Sequence, residues 1–445
     1  MRRSRWCASA SSTCTPEHEL GEVSAGAHND ATGALQQRAL GVWSLLALGI
    51  NGIVGVGIFF TPNLIAGLVP GGLGVWAYAL TLLSLLPVAF SYARLGSRFD
   101  RDGGPYVWAQ AAFGDGAGFV VGFASYASAV LSTSAVIAGL GEYTAPLFGW
   151  GAEKQLFSLG SALVFAAIVL AGLKPSAWVW SALTVLKLLP LLALLGVFLL
   201  SRQQSAAVLP ATSSVSWSRA VLVIVFSMQG FEIVPVPGSH VRSPARAIPI
   251  ATVGSLVLCA GLYMLLHWAC VRSVPALATS SAPLVAAAGV LGGARLSGLV
   301  SVGTNVSAIG IAFGMMAMTP RYLAALEQGN ATVSEPETSV LVPRRALFVT
   351  LVLVVLLLSW GALSRLFVLS SVAVLFQYSV SVLSLGRLAL KREHGLSPRD
   401  ALPAPLALVA LAIVARAVER AELFVLTGIV AVALLLWFAR VRFRR

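Results

Sequence analysis

"GINGIVGVGIFF", Gly49 to Phe60, sets four glycines within nine positions of a strongly apolar stretch. Close packing of membrane helices uses small residues four apart. Gly49, Gly52, Gly55 and Gly57 are instead separated by three, three and two residues. The spacing therefore predicts a broken helix rather than a packing seam. Glycine gives access to positive φ at little cost, and Thr61-Pro62 supplies a second breaker downstream. In lipid, the N–H and C=O groups freed by such a break must find partners, so broken backbone occurs where it lines a cavity or binds a solute.

The surroundings of this stretch are those of an integral membrane protein. The 445 residues are 58% hydrophobic and 11% charged, with a mean hydropathy of +0.86, far from the balance of a soluble domain. Apolar runs near the length needed to cross a bilayer predict twelve spans. They lie at about 41–68, 73–96, 116–144, 155–173, 176–200, 217–239, 248–271, 297–318, 346–363, 365–388, 402–418 and 421–439. A net charge of +13 raises the question of nucleic acid, but the distribution of the bases answers against it. With the N-terminus inside, 21 of the 30 Lys and Arg fall in cytoplasmic segments, 8 fall outside, and Lys187 lies within a span. The positive-inside rule then places both termini in the cytoplasm, with the Arg-rich ends against the inner leaflet's lipid. Only four of those 30 bases are Lys, a usage compatible with a bacterium and hence with its cytoplasmic (inner) membrane.

Cys7, Cys14, Cys259 and Cys270 have no metal-ligand spacing, and no cofactor, metal or disulfide is implied. Residues 1–39 lack the apolar core of a signal peptide and read as a disordered cytoplasmic tail.

A second weak point is expected if the chain is an inverted repeat. "VFSMQGFEIVPVPGS", Val225 to Ser239, interrupts the sixth span with Gly230, Glu232, Pro235, Pro237 and Gly238. Spans one and six each open a set of five, which assigns residues 40–200 and 201–390 to two five-helix repeats and 391–445 to two added helices and a basic tail. Paired interruptions in corresponding places are the sequence pointer to a transporter's binding site.

At these residues the chain resembles the amino acid–polyamine–organocation superfamily of amino acid permeases. "GIVGVGIFFTPNLIA" is similar to the family's first-helix motif, and "GFE" with "SPARAIPIAT" to its sixth helix and following loop. "SRFDRDGGPYVWAQAAFGD" resembles the loop after span two, and "SSAPL" with "VSAIGIAFGMMAMTPRYLAAL" resembles the eighth span and its approach. The resemblance implies an all-α membrane protein with a leucine-transporter-type five-plus-five fold whose helices one and six are broken.

The resemblance also implies a site. The substrate carboxylate is expected on backbone N–H groups at Gly55, Val56 and Gly57, where a half-helix N-terminus favours an anion. The substrate ammonium is expected on carbonyls of Ile53, Phe226, Ser227 and Gln229, beside Gly230. Many relatives carry Ser where Val56 stands, so one hydroxyl contact to the carboxylate is missing here. Phe226 matches an aromatic gate. Glu232, the carboxylate nearest the middle of a span, reads either as a titrating group or as an acid that hydrogen-bonds unwound backbone. Lys187, in "ALTVLKLLPLL", has its Cα roughly 15 Å from the nearer end of its span, too far to snorkel. In proton-coupled relatives such a lysine occupies a sodium site. That implies an ammonium bridging carbonyls near Gly52 to Gly55 and a hydroxyl of span eight, Ser307 or alternatively Thr304. It acts either as a proton switch or as a permanently charged pin. His267 reads as an interfacial residue with no role.

The function expected is secondary amino acid transport by alternating access and proton symport. A neutral substrate is favoured because Glu232 is the one central acid. The alternatives are an exchanger of amino acids or amines, a sensor that binds without moving its ligand, and a membrane enzyme. The absence of a Walker A pattern and of clustered His, Asp or Cys in the spans argues against nucleotide hydrolysis and against catalysis. The sequence does not specify an oligomeric state. A bulky residue at Gly55 or Gly57 is expected to block binding with folding intact, and the same change at Gly49 to matter less.

Overall fold

The first apolar stretch folds as two helices, α1 (Val42–Ile53) and α2 (Gly57–Leu68), bent by 50° across the residues between them. The break sits at Val54, whose ψ of 85° leaves the helical region. Pro62, expected as a second breaker, lies inside α2, which continues to Leu68. A single proline removes one intrahelical bond, a loss that membrane helices tolerate where neighbours re-satisfy the backbone.

The computed structural model describes residues 40–99, 104–171, 177–201, 215–236, 241–328, 344–360 and 363–443; the tail expected over 1–39, and Pro237 and Gly238, lie outside them. After α2 come α3 (Gly74–Gly96), α4 (Pro105–Phe113), α5 (Asp115–Thr144), α6 (Lys154–Leu170), α7 (Ala177–Leu200) and α8 (Trp217–Met228). The second part of the chain holds α9 (Pro244–Ser273), α10 (Pro283–Gln328), α11 (Arg344–Trp360), α12 (Leu363–Leu390), α13 (Pro403–Ala415) and α14 (Arg420–Phe443). Among the described residues there is no strand; the one isolated bridge pairs Leu40 with Val241.

Among the described residues, seven helical segments are long and apolar enough to cross a membrane, and the bent α1/α2 pair, taken as one span, makes an eighth. The helices α6, α8 and the 185–200 part of α7 are shorter but apolar. The short α4 was not among the expected spans. It starts in the Gly-Gly-Pro-Tyr loop, where Gly104 at φ 52° turns the chain and Pro105 occupies the first helical turn. A turn at Gly293 (φ 67°) kinks α10 ahead of the part expected to span.

Packing assembles the breaks. α9 lies against α1 and α3, while α10 and α12 both lie against α5. Buried hydroxyls inside these helices bond to their own backbone four residues back, as Thr81 does to Ala77 O and Ser371 to Phe367 O, both within 3.0 Å. Such hydroxyls need no partner from another helix.

Candidate functional site

The second break forms where α8 stops at Met228. Gln229 turns extended (ψ 147°), Gly230 takes φ 126°, and a short 3-10 turn runs over Phe231–Ile233. Position 230 admits glycine alone on two grounds. Its φ is left-handed, and a Cβ there would stand 2.6 Å from the Gly52 carbonyl oxygen. The two breaks therefore touch backbone to backbone.

The glycines of the first stretch divide by what they face. A Cβ at Gly49 would lie 2.7 Å from Ser255 Cβ on α9, and one at Gly52 would lie 2.7 Å from Ile233 Cδ1. One at Gly57 would lie 2.8 Å from Ser227 Cα, whereas at Gly55 the nearest atom, Ile311 Cδ1, is 3.6 Å away. Close packing thus accounts for three of the four glycines, although none is paired at the four-residue spacing. The neighbours are helices α8 and α9 and the turn at the second break, which sequence spacing along one helix does not reveal. A larger side chain would therefore be as crowded at Gly49 as at Gly57.

Lys187 is 2% exposed, and its Nζ donates to Asn51 O (2.8 Å) and Val54 O (2.7 Å). Those are carbonyls at the first break, as expected, with Asn51 one residue before the expected interval. The hydroxyl of span eight is not engaged. Ser307 Oγ is buried with no hydrogen-bond partner, and Thr304 Oγ1 donates to Val300 O of its own helix (2.7 Å). The reach of Lys187 is set by α7 packing on α10, where Pro190 fills the space beside Gly303.

Ile53 O is already an acceptor, for Tyr263 Oη at 2.8 Å. Glu232 Oε2 accepts from Gly230 N (2.7 Å) and from Tyr378 Oη (3.0 Å). The acid therefore ties the unwound backbone to α12. Gln229 Oε1 faces two hydroxyls, Ser370 (3.2 Å) and Ser132 (3.4 Å), which lie 2.6 Å from each other. Its Nε2 is buried without a partner. Phe226 stacks on Phe367 with ring centroids 4.1 Å apart and an interplanar angle of 22°. Phe60 also approaches Phe367, at 6.2 Å. Sequence reasoning missed Tyr263, Tyr378, Ser132, Ser370 and Phe367, which sit in apolar helices without a motif of their own.

Val56 is 1% exposed and packs on α5, where a Cβ at Gly139 would stand 2.6 Å from its Cγ1. His267, expected at the interface, is fully buried beside Gly74 and the Tyr78 ring, 5.2 Å between centroids. Its helix face turns inward because α9 lies along α3. Cys259 and Cys270 are buried free thiols, and no group of His, Cys, Asp and Glu among the described residues is placed to hold a metal.

The amino acid permease family profile matches residues 40–440. A serine/threonine exchanger, SteT, of Bacillus subtilis is 24% identical over 66% of this chain and 68% of its own length. An uncharacterized transporter of Mycobacterium tuberculosis is 27% identical over 62% of each chain. Cationic amino acid transporter 9, chloroplastic, of Arabidopsis thaliana is 28% identical over 60% of this chain and 51% of its own length. The chain thus spans between half and about two thirds of these relatives. With a profile match that starts two residues before the first broken helix and runs into the last helix, the chain belongs to the amino acid permease family of the amino acid–polyamine–organocation superfamily.

Proposed function

We propose that the chain is a secondary active amino acid transporter that works by alternating access and couples substrate movement to protons. In this reading twelve spans cross the inner membrane of a bacterium, ten of them as two inverted five-helix sets over 40–200 and 201–390. Both termini are cytoplasmic, and the exposed apolar flanks face lipid. The substrate carboxylate takes N–H groups at Gly55, Val56 and Gly57, and its ammonium takes carbonyls of Ile53, Phe226, Ser227 and Gln229 around Gly230. A carbonyl oxygen has two lone pairs, so the Tyr263 bond leaves Ile53 one acceptor site. Phe226 on Phe367 is the gate. A neutral amino acid fits best because Glu232 is held by Gly230 N–H and Tyr378 rather than offered to a charged side chain.

The observation that carries the reading is the pair of Lys187 bonds to Asn51 O and Val54 O. A buried ammonium tied to backbone at a break holds α7 to helix one. Loss of its proton removes one donor and the charge that strengthens the bonds, which frees the break to move. Ser307, buried and unpartnered, is the group that would complete the bridge in another conformation. The test is uptake of a labelled amino acid panel into liposomes under an imposed proton gradient. Wild type should accumulate substrate, and Lys187→Ala should lose gradient-driven accumulation. Retained accumulation in the mutant, or a wild type driven by sodium, overturns proton coupling.

The name of the Bacillus relative supports a second reading, obligatory exchange with Lys187 as a permanently charged pin. Flux that requires amino acid on the far side and ignores the gradient selects it. Binding with no flux at all selects a sensor.

A further inference from the structure

The start of α2 is a helix N-terminus: Phe59 N–H returns to Val56 O at 3.1 Å, and the N–H groups of Gly57 and Ile58 ahead of it have no carbonyl four residues back within the helix. A second observation stands beside it. Ser227, on the last turn of α8, is 2% exposed, and its Oγ has no hydrogen-bond partner. That oxygen is turned toward the first residue of α2, since a Cβ placed on Gly57 would lie 2.8 Å from it. Buried hydroxyls are almost always paired, and one left unpaired is costly. The side chain at position 56 offers no polar group there, because Val56 is spent packing against Gly139 on α5.

We infer that the Ser227 hydroxyl is the side-chain donor to the substrate carboxylate at the N-terminus of α2. This rests on the proposed reading that an amino acid binds at the breaks. It gives Ser227 a second task besides the carbonyl expected to face the ammonium. A hydroxyl from α8 then completes an anion site whose N–H donors come from α2, so binding one carboxylate clamps the two half-helices together. Ordinary helical serines and threonines instead donate to a carbonyl four residues back, as Thr61 does to Gly57 O at 2.9 Å, so Ser227 departs from the habit of its neighbours.

The test uses the purified full chain. A panel of L-amino acids identifies the ligand that binds tightest, and its affinity is compared with those of its α-methyl ester and its decarboxylated amine. Ser227→Ala, which keeps the Cβ and removes one oxygen, should weaken the free amino acid by about 10- to 100-fold, the loss of one hydrogen bond to a charged group. The methyl ester, which lacks the charge, should bind wild type and mutant alike. Ser227→Cys, a weak donor of similar shape, should fall in the same direction by less. Unchanged affinity in Ser227→Ala overturns the assignment, and so does equal weakening of acid and ester. A wild type that prefers the ester or the amine to the acid overturns the underlying reading of a carboxylate at the break.

Discussion

At the scale of single residues, glycines in one short stretch have different obligations. A Cβ at Gly55 would meet Ile311 Cδ1 and Ile53 O at ordinary contact distance, 3.6 and 3.8 Å, whereas at Gly57 it would meet the backbone of Ser227 at 2.8 Å. Gly55→Ala is therefore expected to fold with a melting temperature near wild type while losing affinity, because its methyl group enters the break beside Ile53 O, a carbonyl proposed to take the substrate ammonium. Gly57→Val is expected to lower stability by about 1–3 kcal/mol through overpacking of α2 on α8. Thermal unfolding in detergent, read beside ligand binding, separates the two. A Gly57→Val protein that melts like wild type and only loses binding contradicts this division. Gly49→Val belongs with Gly57, since Ser255 and Val234 fill its space.

At the scale of elements, the second break is held by a carboxylate rather than by regular helix bonds. Glu232 Oε2 serves both Gly230 N–H and the Tyr378 hydroxyl. Glu232→Ala leaves two donors without their acceptor, at about 1–3 kcal/mol each. Glu232→Gln keeps a carbonyl oxygen for them and is expected to remain close to wild-type stability. The same pair of variants decides whether the acid titrates during transport. Proton-driven uptake that survives in Glu232→Gln assigns the carboxylate a structural role, and uptake that becomes independent of the gradient assigns it to coupling. The positions of the elements were largely legible: the two breaks fall at Gly-rich interruptions of apolar runs, where glycine's backbone freedom is a local property. Pro62 was misread because a proline removes one bond, and whether a helix survives that depends on what packs around it.

At the scale of the whole molecule, the two C-terminal helices are fastened to the helix-six region through one arginine. Arg219, in the first turn of α8, places Nη2 2.7 Å from Glu422 Oε1 and 3.4 Å from Glu419 Oε1, and donates from Nη1 to Ala417 O at 3.2 Å. At the other end of α14, Arg440 donates to Leu326 O in the last turns of α10 at 2.6 Å, and Trp437 lies 5.6 Å from the Phe119 ring of α5. The Glu422 side chain is only 10% exposed, so Arg219→Ala leaves a nearly buried carboxylate without its cation, held only by the Glu419 N–H at 2.9 Å. The expected loss is about 3 kcal/mol, at the low end for a buried pair because Arg219 itself is partly exposed. Glu419, 67% exposed, should matter by under about 1 kcal/mol when replaced by Ala. Replacing both Arg219 and Glu422 with Leu should recover most of the arginine loss, because the unpaired charge is what costs. Melting curves for the three variants check the order, and a Glu419→Ala loss equal to that of Arg219→Ala would contradict it.

What the sequence by itself determined here is what depends on neighbours along the chain. Apolar run length marks the helices, and interruption by glycine marks the two breaks. A lysine too deep to snorkel had to turn inward, and the structure buries it. Only the tertiary structure decided who meets whom. Lys187 bonds Asn51 and Val54 and leaves Ser307 without a partner, Tyr263 takes the Ile53 carbonyl, His267 is buried, and the Ser227 hydroxyl is turned toward Gly57. The reason is physical. A helix that is apolar all round carries no polar stripe to say which face looks inward, so side-chain pairings follow from how the helices pack against one another.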